Sequence, residues 1–336
     1  ATMTSESGVA AHRPYSEGDV SVVLGKAIEE GLVGIDREEV AQFFDMDAIK
    51  ETCNELHSAF PKHVLHTFAI KSCPLPALLR FICANGHGME AASLPEMMLA
   101  IRCGCPPGKV MFDSPAKTRS EIEQALRLGV QLNLDNFDEL DRITRIRADL
   151  ASKGVQSKSR VAFRFNPLVG GGTIAELSVS TSTSKFGVPF TEEVKKRLLG
   201  AFRDLDFLDG LHVHVGSQGF TLDQLCQGCE IIVQFADDID AALGRGRVRV
   251  LDIGGGVPLN YSSYELTPTF GEYASLLRQR VPSLFANAGR LVVTEFGRSV
   301  VGKSAWTACS VEYYKMPTDK RHVAIIQAGA DLFMRT

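Results

Sequence analysis

The chain has 336 residues, of which 45% are hydrophobic and 23% charged, with a formal net charge of −4. This is an ordinary globular composition, and nothing in its acidic balance points to electrostatic binding to nucleic acid or to an anionic membrane. No apolar run approaches the ~20 residues a membrane helix needs, residues 1–15 lack the apolar core of a signal peptide, and 8 scattered cysteines fit reduced thiols in the cytoplasm.

In chain order, β-rich runs end near Lys71 (64–70), Ser93 (89–92), Asp113 (110–112) and Asp135 (130–134). Further runs end near Arg164 (161–163), His214 (211–213), Gly254 (248–253) and Glu295 (291–294). Helical stretches at 75–83, 120–128, 137–150, 192–202 and 222–243 lie between them. Strand–helix alternation implies parallel strands with crossover helices. Eight such units over roughly 250 residues predict a (β/α)₈ TIM barrel. An open doubly wound sheet is the competing topology. The barrel is expected over residues 42–303.

Catalytic groups in such a barrel lie where strands end and loops begin. Lys71 closes the apolar run Phe68-Ala69-Ile70, and a desolvated lysine has a lowered pKa and forms Schiff bases readily. Most lysines at strand ends are simply solvated. Asp252-Ile253-Gly254-Gly255-Gly256 follows the seventh run, where glycine N–H groups can cradle a phosphate. Leu259 takes the place of the last glycine of a dinucleotide fingerprint, so that motif is excluded; a plain tight turn is the alternative. Glu295-Phe296-Gly297-Arg298 closes the eighth run and offers a carboxylate and a forked cation; a surface ion pair is the bland version. His212 and His214 at i,i+2 would share a strand face. They suit either a metal pair, for which no further ligand set is apparent, or a ring that stacks on a planar cofactor. His212 reads better as a buried structural histidine. Cys226-x-x-Cys229 lies in a helical stretch without a second pair, so neighbouring core thiols are the better reading than a metal or redox site.

Taken together, these motifs resemble the alanine-racemase-like (fold type III) pyridoxal-phosphate enzymes, most closely the diaminopimelate decarboxylases, with the ornithine decarboxylases as cousins. The likeness runs in order from about Phe44 to Arg335. It includes Phe68 to Lys71, Ser93 to Glu96, Arg164 to Pro167, Ser184 to Gly187, His214 to Gln218, Asp252 to Gly256, Glu295 to Arg298 and Ala328-Gly329. The resemblance implies pyridoxal 5'-phosphate as cofactor and decarboxylation of an amino acid. Lys71, His214 and Glu295 would be catalytic. Lys71 would carry the cofactor, His214 would stack on its ring, and Glu295 would pair with the ring nitrogen. Ser217, Gly254, Gly255, Gly256, Gly297 and Arg298 would bind its phosphate end. Arg298 and Arg335 would contact substrate, Arg335 gripping a distal carboxylate, which favours a diaminopimelate-like substrate over an ornithine, lysine or arginine type. No metal is expected.

Three positions depart from the family pattern: Glu90 in place of Asp, Phe296 in place of Pro, and Gln327 in place of an acid. The resemblance also implies a second, β-rich domain formed by residues 1–41 and 304–336 and incomplete at the C-terminus, because the family pattern continues past Thr336 with a cysteine-and-acid motif that reaches across a homodimer, and then a tyrosine. The sequence is therefore read as a fragment of a homodimer-forming enzyme with shared active sites. A catalytically silent homologue that binds a partner, and a metal-dependent hydrolase using His212 and His214, are the readings from other classes.

Overall fold

The computed structural model describes residues 17–34, 40–174, 179–263, 265–286 and 289–329. By contacts the chain divides into two units, one of Lys50–Asn260 with Leu266–Val301, the other of Ala1–Ile49, Tyr261–Glu265 and Gly302–Thr336.

The larger unit is built on eight strands: β1 (Val64–Ala69), β2 (Gly88–Ala91), β3 (Val110–Asp113), β4 (Gln131–Leu134), β5 (Val161–Asn166), β6 (Leu208–His212), β7 (Val250–Asp252) and β8 (Leu291–Phe296). All neighbours pair in parallel, β1 with β8 and β4 with β5, so the sheet closes on itself. It is a (β/α)₈ barrel, and the open sheet is excluded because each of these eight strands has a parallel neighbour on both sides. Strands covered on both faces read as continuous apolar runs, which is why the runs in the sequence mark them. Met111, Val250 and Val293 pack together inside, with Leu65 and Leu291 against them. A void of only about 10 Å³ remains beside them, so this end of the barrel is filled.

Helices α1 (Pro76–Ala84), α2 (Leu94–Arg102), α3 (Arg119–Leu128) and α4 (Phe137–Ser152) follow the first four strands. Helices α5 (Glu192–Asp204), α6 (Leu222–Leu243), α7 (Phe270–Arg280) and α8 (Arg298–Val301) follow the last four. Their starts are chemically marked. Thr118, Thr221 and Thr269 each form a reciprocal capping box with Glu121, Gln224 and Glu272. Ser93 caps α2, and the Glu96 carboxylate accepts from the Ala92 N–H at 2.7 Å. The Ser93-Leu94-Pro95-Glu96 motif is thus a helix start in this structure.

Two expectations shift locally. The sixth strand ends at His212, earlier than the sequence suggests, so His214 lies in the following loop and the shared-face argument does not place it. Phe296, which replaces a proline, is 1% exposed and packs on Phe270 at 5.0 Å, with Tyr273 and Phe60 beyond. The substitution fills an aromatic cluster. Cys226 and Cys229 are buried in α6, with Cys229 Sγ 3.5 Å from the Tyr273 hydroxyl. Burial pushes the two thiols up to about 11 and about 12, so neither is a ready thiolate.

In the smaller unit, strand Ala41–Phe44 pairs antiparallel with Ala305–Ala308, and Phe43 stacks on Trp306 at 4.0 Å. The expected barrel start at residue 42 therefore falls inside a strand of this unit. A hairpin of Val311–Thr318 and Arg321–Ile326 follows, with Val311, Tyr313, Tyr314 and Met316 exposed. The unit is β-rich, with helix Glu17–Glu29 at its start.

Candidate active site

Strand exits bring the candidate residues to one end of the barrel. Lys71 sits in a single helical turn, Ile70–Ser72, directly after β1. Its side chain is 55% exposed, but Nζ donates to both carboxylate oxygens of Glu90 at 3.1 and 2.9 Å. Glu90, on β2, is fully buried. Burial disfavours the charged amine, yet Glu90, Glu295 and Asp113 outweigh it and raise the Lys71 pKa above the ordinary lysine value. This corrects the expectation of a lowered pKa: the lysine is locked as an ammonium by carboxylates that sequence spacing did not reveal. Glu90 is pushed up to about 7 by burial, against the pull of Lys71.

The glycine turn after β7 is pressed between its neighbours. Gly254 and Gly256 have φ of 67° and 103°, where a side chain would be strained. A Cβ on Gly255 would lie 2.1 Å from the Glu295 carbonyl oxygen, and one on Gly256 2.1 Å from that of Gly216. The Gly254 N–H donates to Asp252 Oδ1 at 3.0 Å, and the Gly255 N–H to His214 Nδ1 at 3.2 Å. Two of the three amides expected to face a phosphate thus donate within the protein in this structure. The second bond makes Nδ1 of His214 an acceptor, as a neutral imidazole requires. Burial pushes that ring down to about 3, with Arg164, Lys71 and His212 adding to the effect.

Gly297 lets the β8 exit approach the Lys71 turn: a Cβ there would meet Ser72 Oγ at 2.8 Å and Ala69 Cβ at 2.9 Å. Arg298 is half-buried at the start of α8, and Ser217 is half-buried in the loop before α6. Arg335 lies outside the described residues.

Beneath these groups lies a buried network that the sequence reading missed. Arg164 Nη1 donates to Asp113 Oδ2 at 2.7 Å, and its guanidinium stacks on Phe186 at 4.7 Å. Asn133 Nδ2 donates to Asp252 Oδ2 at 2.8 Å and to Glu295 Oε1 at 3.4 Å. His212 lies 3.8 Å from Asp113 and 3.5 Å from Glu295. Asp113, His212 and Glu295 have ligand atoms within 4.8 Å of one another, a grouping not apparent in the sequence. It joins His212 to two acids rather than to His214, and Arg164 already neutralises one of them. The network separates two adjacent carboxyls. Burial and Glu295 push Asp252 well above the usual carboxylate range. Burial opposes ionisation of Glu295 as well, but His212 beside it holds its pKa below the ordinary value. Neighbouring acids with pKa values forced apart have divided roles.

A barrel with an amine at its first exit and a glycine turn at its seventh has the architecture of the fold type III pyridoxal-phosphate enzymes. The profile described as pyridoxal-dependent decarboxylase, pyridoxal binding domain, matches residues 46–302. The chain belongs to this family and is a pyridoxal-phosphate-dependent carboxy-lyase. It is 30% identical over 296 residues to a diaminopimelate decarboxylase of Helicobacter pylori strain J99, covering 87% of this chain and 69% of that protein. The crystal structure of diaminopimelate decarboxylase from Helicobacter pylori complexed with L-lysine superimposes with a TM-score of 0.75 at 26% identity, over 90% of this chain and 73% of that one. A lysine/ornithine decarboxylase from Vibrio vulnificus, complexed with putrescine, shares the fold with a TM-score of 0.73 at 21% identity, over 94% and 76% of the two chains.

The residues present fit the cofactor. Lys71 supplies an amine at the barrel end, and Glu295 is a carboxylate held ionised. His214 is a flat neutral ring, and the glycine turn admits no Cβ.

Proposed function

We propose that the chain decarboxylates an amino acid carrying a second, distal carboxylate, a diaminopimelate-type substrate, to release lysine and CO₂. The chemistry is supported by the opposite charge states imposed on Glu295 and Asp252, which leave an anion on β8 for a cationic ring nitrogen. The substrate class is supported by the likeness to the Helicobacter relative.

In this reading Lys71 would hold the cofactor covalently, His214 would lie against its ring and exclude water, and Glu295 would keep the proton on the ring nitrogen. Ser217, Gly254, Gly255, Gly256, Gly297 and Arg298 would surround the phosphate end, with Arg298 also contacting substrate. When bound, the cofactor supplies an electron-accepting ring. By the family resemblance, Arg335 would be the residue that receives the distal carboxylate, for which a guanidinium is suited. The resemblance also favours a cytoplasmic homodimer with shared active sites. Among the described residues, no helix is long and apolar enough to cross a membrane.

The test is product analysis on a panel of amino acids. Diaminopimelate should give lysine, while ornithine, lysine and arginine should turn over poorly. Arg335→Ala should weaken substrates with a distal carboxylate by roughly 1.5–3 kcal/mol, the worth of a hydrogen bond to a charged group. Equal losses on both kinds would remove the substrate assignment. Preference for a plain diamine precursor would place the chain with the ornithine branch.

The Lys71–Glu90 pair has a kinetic consequence. Only a neutral amine attacks an aldehyde. Because the Lys71 pKa is raised, capture of pyridoxal phosphate by the apoprotein should speed up with every step of increasing pH through the neutral range. Glu90→Gln removes the nearest counter-charge and should accelerate capture at pH 7.5 by ~10-fold, equivalent to about one pKa unit. Stopped-flow absorbance measures it, and an unchanged rate would mean Glu90 does not set the charge of Lys71.

A further inference from the structure

His212 is a buried titratable group that the reaction as proposed leaves unused. It is 0% exposed at the end of β6, and neither ring nitrogen has a hydrogen-bond partner among the described residues. Nδ1 faces Asp113 Oδ1 of β3 at 3.8 Å, and Nε2 faces Glu295 Oε2 of β8 at 3.5 Å. A neutral imidazole has one N–H and one lone pair. In this site its lone pair would point at a carboxylate oxygen whichever tautomer formed. The doubly protonated ring alone presents a donor to each acid. Burying a polar ring without partners is costly, whereas an imidazolium between two anions is compensated.

We infer that His212 is a positioning residue: as an imidazolium spanning the barrel from Asp113 to Glu295, it keeps Glu295 ionised and fixes its orientation. The inference rests on the reading of Glu295 as the partner of the ring nitrogen. The remaining surroundings agree with it. Arg164 shares Asp113 through its other oxygen, so this acid serves two cations. Asp252 adjoins His212 in the β6–β7 register, but burial and Glu295 push it toward neutrality. Lys71 and Glu90 form their own pair above. His214 stays neutral, so it adds no competing positive charge. Burial opposes protonation of His212, yet the acids around it, Asp113 and Glu295 among them, outweigh burial and raise the ring above its ordinary value. A His raised in this way contributes stability that is whole below pH ~6.5, its unfolded value, and is lost as pH rises through the folded value.

The trio also has the composition of a metal site. A metal would need a lone pair on His212, which the imidazolium lacks, so the two readings make opposite demands on one nitrogen.

The test uses the full chain without cofactor, with ¹⁵N in histidine and ¹³C in glutamate carboxyls. His212→Asn and Glu295→Gln assign the two signals. The inference expects both His212 nitrogens in the protonated range at pH 7.5, with loss of a proton centred near pH 9. It expects the Glu295 midpoint to rise by about one unit or more in His212→Asn. In the cofactor-loaded enzyme, His212→Asn should lower kcat by ~10-fold with KM nearly unchanged, since ring electronics rather than substrate contacts are altered. If His212→Asn does not fold, the wild-type nitrogen signals decide alone. An unprotonated His212 nitrogen at pH 7.5, an unmoved Glu295 midpoint, or Zn²⁺ uptake that shifts the His212 signals would each overturn the inference. Failure to bind pyridoxal phosphate, with both titrations as expected, would instead overturn the functional reading and leave the ion-pair bridge supported.

Discussion

Lys71→Ala is expected to abolish decarboxylation, a loss of ~10³-fold or more because the covalent anchor and its orientation vanish together. Lys71→Arg should not restore it, since a guanidinium does not shed its proton in a protein. Other lysines fail on geometry. Lys117 is buried near the network, but its amine is held by the Ser114 carbonyl at 2.5 Å, the Asn133 carbonyl at 2.7 Å and Glu139 at 3.0 Å. The two carbonyls accept from it and the Glu139 carboxylate balances its charge. Lys62 precedes β1 and so lies at the other end of the barrel, and Lys185 sits exposed over Phe186. Lys71 has a single carboxylate partner and remains open to solvent. Borohydride reduction of the cofactor-loaded chain should therefore label the Lys71 peptide. A label on Lys62, Lys117 or Lys185 would refute the placement of the site.

The barrel is legible because its strands are short apolar runs with turn signals on both sides, and parallel strands buried on both faces carry no competing polar alternation. Helices with long amphipathic stretches, such as Leu222–Leu243, can be read by period. Helix Leu94–Arg102 cannot be read that way, since it has nine residues and a proline in its first turn. What marks it is the Ser93 cap with Glu96 three residues on, the same signal that opens Phe270–Arg280 from Thr269. Attention to caps would have found both.

The residues at the barrel end are legible for a different reason, because reactive types stand at strand exits. The charges they carry are not, since charge depends on partners far apart in sequence. Glu90 is 19 residues from Lys71, and Asn133 is 162 from Glu295. A desolvated lysine alone would lose its charge; the same lysine beside three carboxylates keeps it. The same physics turns His212 from a structural histidine into a bridge. Barrel closure supplies this convergence, and strand spacing carries no trace of it.

Glu295→Gln should leave the cofactor bound but reduce kcat by ~10²-fold or more, by analogy with the loss of a preorganised electrostatic partner. The substitution keeps the side chain's shape and removes its charge. Asn133 still finds an oxygen acceptor, so the β4–β8 contact survives. His212 loses one of its two anionic neighbours and should give up its proton at lower pH than in the wild type. Asp252, pushed up partly by Glu295, should ionise more readily once that charge is gone. Part of the negative charge thereby moves from β8 to β7, where the Gly254 N–H and Asn133 already hold the Asp252 carboxyl. An anion so placed does not substitute for Glu295. The variant should therefore show near-normal cofactor absorbance and borohydride labelling at Lys71 alongside slow turnover. Wild-type turnover would reduce Glu295 to a member of an ion-pair network. Loss of cofactor binding would mean that its charge supports the site as a whole rather than the electron-accepting ring.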